Sequence, residues 1–487
     1  MNFFNDIFLK KKIILCFSLL LVTFSSIFSL SMKNEDEICY KKLKNGLEVF
    51  ILENHATPLA TIELAFRAGS DYQTAKTDGI FHLYEHMLFK GNCKYPNVMA
   101  IKDALTDLGI ADYNGSTSDE FVNYYFTLPS SALEKGLEFW AAAVQSPNFD
   151  IDELENEKKV VISEISSILF TKKQYALNEL NTKLFNASPY TFSPSGRIEN
   201  VQKCTVETLR KIQADFYCPN NCAIFISGNV ESNDAIRLIE RYFGNWKKND
   251  GKEILRCINL NCAQKCMLEK NEKFFVSKEN FGSTLIISYF GPNTLKTSDD
   301  TYSADLFSSY CNSTSSSFYK RIKEIKTDND EQAVNQIGVS YLTTKINGIY
   351  TFSFALKSTI QNFPEIIVRI EDAINEEISK ICDEKNVYFD EQQIERLKVY
   401  LNDQQILNQE NPNVQMEGIR YFWATGDTRY SLSYYDKMNK VKSKDLSAFA
   451  KKYLLGKNHV TMFYMNSAYE DQIESFEKQG YIEIKDK

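Results

Sequence analysis

The sequence predicts an α+β protein made of two homologous domains, and two observations support this fold class. The first is an internal repeat: the segment that begins at Cys204 recurs from Val441 at a constant offset of 237 residues, the difference between those numbers. Each copy has the pattern of an amphipathic helix, an asparagine-containing turn and an apolar strand. The second is the mixed order of strand and helix patterns, which favours α/β-sandwich layers over a doubly wound parallel sheet.

The elements of the first domain follow from periodicity and turn residues. A Lys-Asn-Gly turn at 44–46 precedes a strand at 47–53, and alternating apolar residues predict another strand at 59–66. Apolar residues at helical spacing then predict four helices, at residues 79–89, 99–108, 131–145 and 152–169.

The repeat also predicts the domain boundaries. Its offset is about half the length of the chain, which corresponds to domains of roughly 220 residues. We place the N-terminal domain at residues 36–246 and the homologous C-terminal domain at residues 274–487. The polar stretch 247–273 is the predicted linker.

The N-terminus has the pattern of a targeting segment. Three lysines at 10–12 precede an apolar run at 13–30, and Ser29 and Ser31 provide small residues for cleavage before Met32. We therefore expect residues 1–31 to be a signal peptide or, if uncleaved, an N-terminal membrane anchor. Either alternative predicts an exported protein, in the periplasm or anchored facing it, that meets the membrane only through this segment.

Composition excludes several classes of function. The 487 residues include 56 Lys+Arg and 64 Asp+Glu, a net charge of −8 that argues against nucleic-acid binding. Eleven cysteines occur without a CxxC motif, so a cysteine zinc site is not predicted and the disulfide pattern is left open. Only four histidines are present, which makes any pair of them informative.

The helix predicted at 79–89 carries two of those histidines, His82 and His86. At this spacing both imidazoles lie on one face of a helix, one turn apart, where they can bind one metal ion. Glu85 lies beside the second histidine, in the position of a general base for hydrolysis. The order H-x-x-E-H is the inverted zinc motif. The alternative is a pair of ordinary histidines on a buried helix face.

A catalytic zinc site needs a third protein ligand. The sequence around the remaining histidines, His55 and His459, does not resemble a ligand site, so a carboxylate is expected. The helix at 152–169 offers Glu157 and Glu164, which are two helical turns apart and share one face. Solvent-facing glutamates are the alternative, but the residues around Glu164 are apolar.

With these motifs, the chain resembles the pitrilysin/insulinase family of inverted-motif zinc metallopeptidases, in particular the short two-domain branch that includes mitochondrial processing peptidase and bacterial relatives. The resemblance covers about residues 37–467 and is strongest in the first half. It implies that two homologous domains, each a sheet with helices on one side, form half of a clamshell around a peptide. It also implies a second two-domain subunit as partner.

The resemblance implies roles for individual residues. His82, His86 and Glu164 would bind Zn²⁺, Glu157 would support the site from outside the ligand set, and Glu85 would be the catalytic base.

The same resemblance implies a substrate-binding wall next to the zinc. Asn114 and Gly115 stand where the family has an edge that pairs with substrate backbone, and Tyr124 lies in the family's strand on the cleft wall.

The second half departs from the family pattern. Members with a complete site carry an Arg and a Tyr seven residues apart that hold the substrate, and alignment puts Lys323 in place of the Arg. No tyrosine follows Arg321 or Lys323 at that spacing, and Tyr341 is displaced. Lysine cannot make the planar bidentate contact of arginine. We therefore expect a degenerate clamp and a heterodimer in which this chain is the zinc subunit; a homodimer is the alternative.

Together these patterns predict a zinc metalloendopeptidase that hydrolyses peptides or unfolded polypeptides with zinc-activated water and Glu85 as general base. The alternative is a catalytically silent scaffold or a peptide-binding subunit of the same family.

Overall fold

The fold is that of a computed structural model, which describes residues 38–110, 113–169, 172–185, 191–254, 257, 268–279, 281–346, 348–385, 387–409 and 411–484. The predicted signal or anchor segment, residues 1–31, lies outside the described residues. Within them, no helix combines the length and apolar character needed to cross a bilayer. The chain forms two compact units.

The first unit contains the described residues between 32 and 267 together with Asn408–Leu432. Its sheet has six strands: β1 (Ile38–Lys42), β2 (Glu48–Glu53), β3 (Leu59–Phe66), β4 (Tyr113–Thr117), β5 (Val122–Pro129) and β6 (Cys222–Gly228). Their spatial order is β1-β2-β6-β3-β5-β4. The β2–β6 pair is parallel and the other neighbours are antiparallel. Because β4 is last in this order, it is an edge strand of the sheet.

The described residues of this part of the chain also form eight α-helices, interleaved with the strands: α1 (Ile80–Leu88), α2 (Val98–Asp107), α3 (Leu133–Gln145), α4 (Ile151–Leu169), α5 (Lys172–Phe185), α6 (Ile198–Lys203), α7 (Val206–Phe216) and α8 (Ser232–Phe243). Alternate residues of the central strands, such as Ile62, Leu64 and Phe66 of β3, are buried in a core shared with these helices. This core fixes α1 and α4 against one face of the sheet.

The second unit contains the described residues of Leu268–Leu407 and those from Ser433 onward. Its strands are β7 (Glu272–Ser277), β8 (Thr284–Gly291), β9 (Val334–Leu342), β10 (Gly348–Leu356), β11 (His459–Met465) and β12 (Ile482–Glu483). Its first helices are α9 (Ser298–Asn312), α10 (Ser317–Lys323), α11 (Phe363–Cys382) and α12 (Glu391–Gln409).

Five strands of each sheet share one topology, and the sixth differs: β1 precedes β2 and lies antiparallel to it, whereas β12 comes last in the chain and lies parallel to β7. The second sheet has the order β12-β7-β11-β8-β10-β9, with β11 in the place that β6 holds in the first. Both strands lie parallel to one neighbour and antiparallel to the other. The predicted α+β class with two homologous sandwich domains is therefore confirmed.

A helix late in the chain packs on the opposite face of the first sheet. This helix, α13 (Pro412–Thr425), buries Ile419 and Trp423 against Phe50 and Phe225. The predicted C-terminal boundaries, 274–487, include α13, but its apolar face is covered by the first sheet. The remaining helices, α14 (Thr428–Met438), α15 (Ser443–Tyr453) and α16 (Ile473–Lys478), follow it, and α15 precedes β11 as α7 precedes β6.

Candidate metal centre

Helix α1 begins at a constrained turn. Gly79, at φ 95°, is its N-cap, and the N–H of Gly79 donates to Oε1 of Gln73 at 2.8 Å. A buried glutamine side chain thus satisfies a backbone donor at the start of the helix. The turn fixes the first residue of α1 and therefore the direction in which His82 and His86 project.

The two histidines meet Glu164 of α4. Nε2 of His82 lies 3.2 Å from Nε2 of His86, and Oε2 of Glu164 lies 3.6 Å and 3.4 Å from these two nitrogens respectively. Among the described residues, this is the one group of three or more His, Cys, Asp or Glu side chains whose geometry could hold a metal ion. The structure thus brings together residues that are far apart in sequence.

The size of this triangle fits zinc. Tetrahedral zinc bonds of about 2.0–2.1 Å separate neighbouring ligand atoms by about 3.3 Å. The three observed separations, 3.2, 3.4 and 3.6 Å, lie around that value. Two imidazoles and one carboxylate also form the donor set of catalytic sites that keep the fourth position open.

The electrostatics of the triangle favour a cation. Burial, and then the neighbouring His86, lower the pKa of His82 to about 4, so this ring is neutral at pH 7. Burial alone would lower the pKa of His86, but its hydrogen bonds to Glu157 and Glu164 raise it to about 9. The hydrogen bond from His86 lowers the pKa of Glu164 and keeps this carboxylate ionised.

Glu157 holds the second ring nitrogen of His86. Its Oε1 lies 2.9 Å from Nδ1, and its Oε2 lies 2.5 Å from Nζ of Lys90. A carboxylate on Nδ1 selects the tautomer that presents Nε2 to a metal. Glu157 is therefore placed to orient a ligand, as the family resemblance implies.

The side chain of Glu85 extends from α1 to strand β4, where it contacts Thr117 and Gly115. Oγ1 of Thr117 donates to its Oε2 at 2.6 Å. Its Oε1 packs on Gly115, where an added Cβ would lie only 3.1 Å away. Burial raises the pKa of Glu85 to about 7, although the Thr117 hydrogen bond opposes the shift. A carboxyl group with this pKa can accept and return a proton near neutral pH.

The predicted substrate-binding residues divide into two groups. Asn114 and Gly115 lie on the edge strand β4, where Asn114 is exposed and its Oδ1 accepts from the N–H of Gly115 at 3.0 Å. Tyr124, in β5, is the strand partner of Gly115 in β4. Its ring is fully buried, and its hydroxyl forms a hydrogen bond with the hydroxyl of Tyr217 at 2.6 Å. The side chain of Tyr124 thus supports the strand from the core.

The candidate clamp residues of the second unit are engaged within that unit. Nζ of Lys323 donates to the carbonyls of Val334 and Asn335 at 2.9 and 2.8 Å. Arg321 pairs with Glu376 at 2.9 Å. The hydroxyl of Tyr341 donates to the carbonyl of Pro292 at 2.8 Å. The polar groups of all three side chains therefore have partners within the second unit.

Three contact residues are not predicted from the sequence: Gln73, Lys90 and Thr117. A signal exists for Thr117, because Gly115 and Thr117 are two residues apart on a strand and share a face. Lys90 follows the motif by one helical turn, which places it near His86. Gln73 lies in an irregular segment, and no periodic pattern points to its role.

Comparisons with known proteins match both halves of the chain to one peptidase family. A family profile described as Insulinase (Peptidase family M16) matches residues 48–193, and one described as Peptidase M16 inactive domain matches residues 203–401. The inverted motif, Glu157 and Glu164 all lie within the first match.

Two curated relatives each match a little under half of the chain. The mitochondrial-processing peptidase subunit beta of Dictyostelium discoideum is 24% identical over 231 residues, 47% of this chain and 49% of the relative. The zinc protease PqqE of Helicobacter pylori is 28% identical over 218 residues, 44% of this chain and 48% of the relative. The chain thus spans about half the length of these two relatives.

A solved structure extends the likeness of the fold to both units. The first half of the periplasmic protease PqqL from Escherichia coli matches with a TM-score of 0.70 at 17% identity, covering 92% of this chain and 97% of that chain. Because the two family profiles together match most of the sequence, residues 48–193 and 203–401, the resemblance seen in the sequence is confirmed: this chain belongs to the insulinase family of peptidases, M16.

Proposed function

We propose that this chain is the zinc-bearing subunit of a metalloendopeptidase that hydrolyses peptides or unfolded polypeptides. One observation carries the proposal: His82, His86 and Glu164 place three ligand atoms 3.2–3.6 Å apart, with the carboxylate of Glu85 on the same helix as both histidines. That arrangement combines a metal site with an adjacent proton acceptor, which is what metal-assisted hydrolysis requires.

The residues of the chain divide the reaction between them. His82, His86 and Glu164 would hold zinc, which when bound supplies a Lewis acid that acidifies water and polarises a peptide carbonyl. Glu85 accepts the proton of the attacking water and returns it to the leaving amine. In the site without metal, burial raises the pKa of Glu85 to about 7, so this carboxylate has a high affinity for a proton.

The edge strand β4 supports a proposal for how substrate is held. Its backbone is paired with β5 on one side only. An extended peptide can add to such an edge by main-chain hydrogen bonds. Asn114 and Gly115 would then lie along the peptide, next to Glu85. Tyr124, the strand partner of Gly115, would hold Gly115 in place from the buried side without contacting the peptide.

Metal analysis and a peptide-cleavage assay test the proposal together. The purified protein should contain about one zinc per chain and cleave a quenched fluorescent peptide, alone or with a second subunit. Glu85→Gln should keep the zinc and lose cleavage by several orders of magnitude. Near-normal turnover of Glu85→Gln would show that another group is the base.

We also propose a second two-domain subunit, with a heterodimer favoured over a homodimer. The relative from Dictyostelium is itself named a subunit, and the PqqL structure that this chain matches is a first half. Lys323 and Tyr341 make hydrogen bonds within their own unit, which supports the proposal that another chain supplies the clamp. Size-exclusion chromatography and cleavage assays with and without a candidate partner test this, and a fully active homodimer would refute the heterodimer.

The second candidate function is a catalytically silent scaffold or peptide-binding subunit. The observation that favours it is the match of residues 203–401 to a profile described as an inactive domain. Zinc without cleavage in any subunit combination would support the peptide binder, and neither zinc nor cleavage would support the scaffold.

The proposed location is the periplasm, with the protein either free there or anchored by residues 1–31. The lysines at 10–12 and the apolar run at 13–30 support this location. The likeness of the fold to PqqL, a periplasmic protease, is consistent with it. Cell fractionation and N-terminal sequencing of the mature protein would test both the location and the cleavage before Met32.

A further inference from the structure

Lys90 lies one helical turn beyond His86, just after the end of α1. Its Nζ is 2.5 Å from Oε2 of Glu157, while Oε1 of Glu157 is 2.9 Å from Nδ1 of His86. The three side chains form a continuous contact from a surface ammonium to a candidate metal ligand. Glu157 itself is only 5% exposed, so its charge depends on these partners.

The buried carboxylate of Glu157 has one ion-pair contact on each oxygen. Among the described residues, its partners are His86 at Oε1 and Lys90 at Oε2. Leaving one oxygen of a buried carboxylate without its partner is costly. Lys90 therefore holds the oxygen that His86 does not contact, and with it the position of the carboxylate against Nδ1.

We propose that Lys90 is a positioning residue for the metal centre, which tightens zinc binding by holding Glu157 against Nδ1 of His86. The proposal rests on the zinc site described above. Lys90 does not touch the metal, since its ammonium reaches only the far oxygen of Glu157. Its effect passes through that carboxylate to the orientation and basicity of the imidazole.

The test measures zinc affinity of the full chain by competition with a chromophoric chelator, without reference to peptide cleavage. Loss of such a partner typically weakens metal binding by about 10- to 100-fold. We expect this loss for Lys90→Met and a smaller loss for Lys90→Arg, which keeps the charge. Lys94→Met is the matched control, because Lys94 makes an ion pair of the same length, 2.5 Å, with Glu138, outside the metal centre.

A double-mutant cycle separates this role from a general effect on folding. If Lys90 acts through Glu157, adding Lys90→Met to Glu157→Gln should weaken zinc binding no further. Additive losses, or wild-type affinity in Lys90→Met, would overturn the proposal. If Lys90→Met does not fold by circular dichroism, Lys90→Gln takes its place in the cycle. Absence of zinc binding in the unsubstituted protein would instead refute the proposed zinc site itself.

Discussion

Gly79 and Gly196 touch through their backbones at the start of α1, the helix that carries His82 and His86. A Cβ added to Gly196 would lie 1.9 Å from the Cα of Gly79, and both glycines have positive φ, 81° and 95°. Neighbouring contacts reinforce the junction: the N–H of Arg197 donates to the carbonyl of Asp78 at 3.3 Å. The position of His82 therefore depends on a segment more than a hundred residues later in the chain.

Gly196→Ala should destabilise the first unit. A non-glycine residue at this φ costs about 1–2 kcal/mol, and the added methyl group must also displace the backbone of Gly79. We expect a total of at least about 2 kcal/mol, which lowers Tm by about 4–8 °C for a unit of this size. Differential scanning calorimetry measures the shift, and zinc affinity should fall with it.

Gly251→Ala is the control for this substitution. Gly251 also has positive φ, 65°, but an added Cβ would meet only Nδ2 of Asn220 at 4.0 Å. It should therefore show the cost of φ alone, about 1–2 kcal/mol, with zinc affinity unchanged. Equal effects of the two substitutions would show that the contact with Gly79 is unimportant.

Thr117→Val should slow catalysis without removing zinc. The hydroxyl of Thr117 donates to Oε2 of Glu85 at 2.6 Å, and valine keeps the shape but not the donor. A hydrogen bond to a charged group contributes about 1.5–3 kcal/mol, so kcat should fall by about 10- to 100-fold with KM little changed. Thr117→Ser restores a donor and should recover most of the rate. Loss of zinc from Thr117→Val would indicate that the residue supports the ligands instead.

Glu164→Ala should abolish high-affinity zinc binding. It removes the carboxylate that lies 3.4 and 3.6 Å from the two imidazoles and leaves only two protein ligands. The affinity should fall by more than the roughly 100-fold expected for loss of a supporting residue such as Glu157. Glu155→Ala, on the same helix but paired with Lys158, should bind zinc normally. Metal content after dialysis distinguishes these variants.

The candidate metal ligands and the proposed base could be singled out in the sequence because part of their pattern is local. His82, Glu85 and His86 lie on one helix, where spacing in sequence determines which side chains share a face. The same rule puts Glu157 and Glu164 on one face of α4, although only the family resemblance assigned their separate roles. The repeat likewise predicted two homologous domains, and five strands of each sheet recur in the same spatial order.

Contacts that depend on strand order could not be predicted in this way. Thr117 contacts Glu85 because β4 lies at the edge of the sheet, beside β5 and not beside β3, the strand that precedes it in sequence. Local sequence patterns do not specify this strand order. The packing of α13 on the first sheet depends on the chain returning from the second unit. The family resemblance identified the strand of Tyr124 as part of the cleft wall but did not indicate where its side chain lies. Alternation along β5 places the Tyr124 ring on the buried side of this strand.

The last prediction concerns pH and the buried carboxyl of Asp78, next to the Gly79–Gly196 contact. Asp78 is 2% exposed, and burial raises its pKa from 3.8 to about 6 although Nε of Arg197 lies 3.0 Å away. A raised carboxyl pKa means that the fold favours the protonated form. Its contribution to stability is therefore complete below about pH 4 and is lost as the pH rises through about 6.

Asp78→Asn stays neutral, so between pH 4 and 7 its stability should decline less than that of the unsubstituted protein, by up to about 3 kcal/mol. Thermal unfolding across this range measures the difference, and Asp234→Asn, at an exposed ion pair with Arg237, is the control. Parallel curves for Asp78→Asn and the unsubstituted protein would show that Asp78 is ionised in the folded state throughout, with Arg197 outweighing burial.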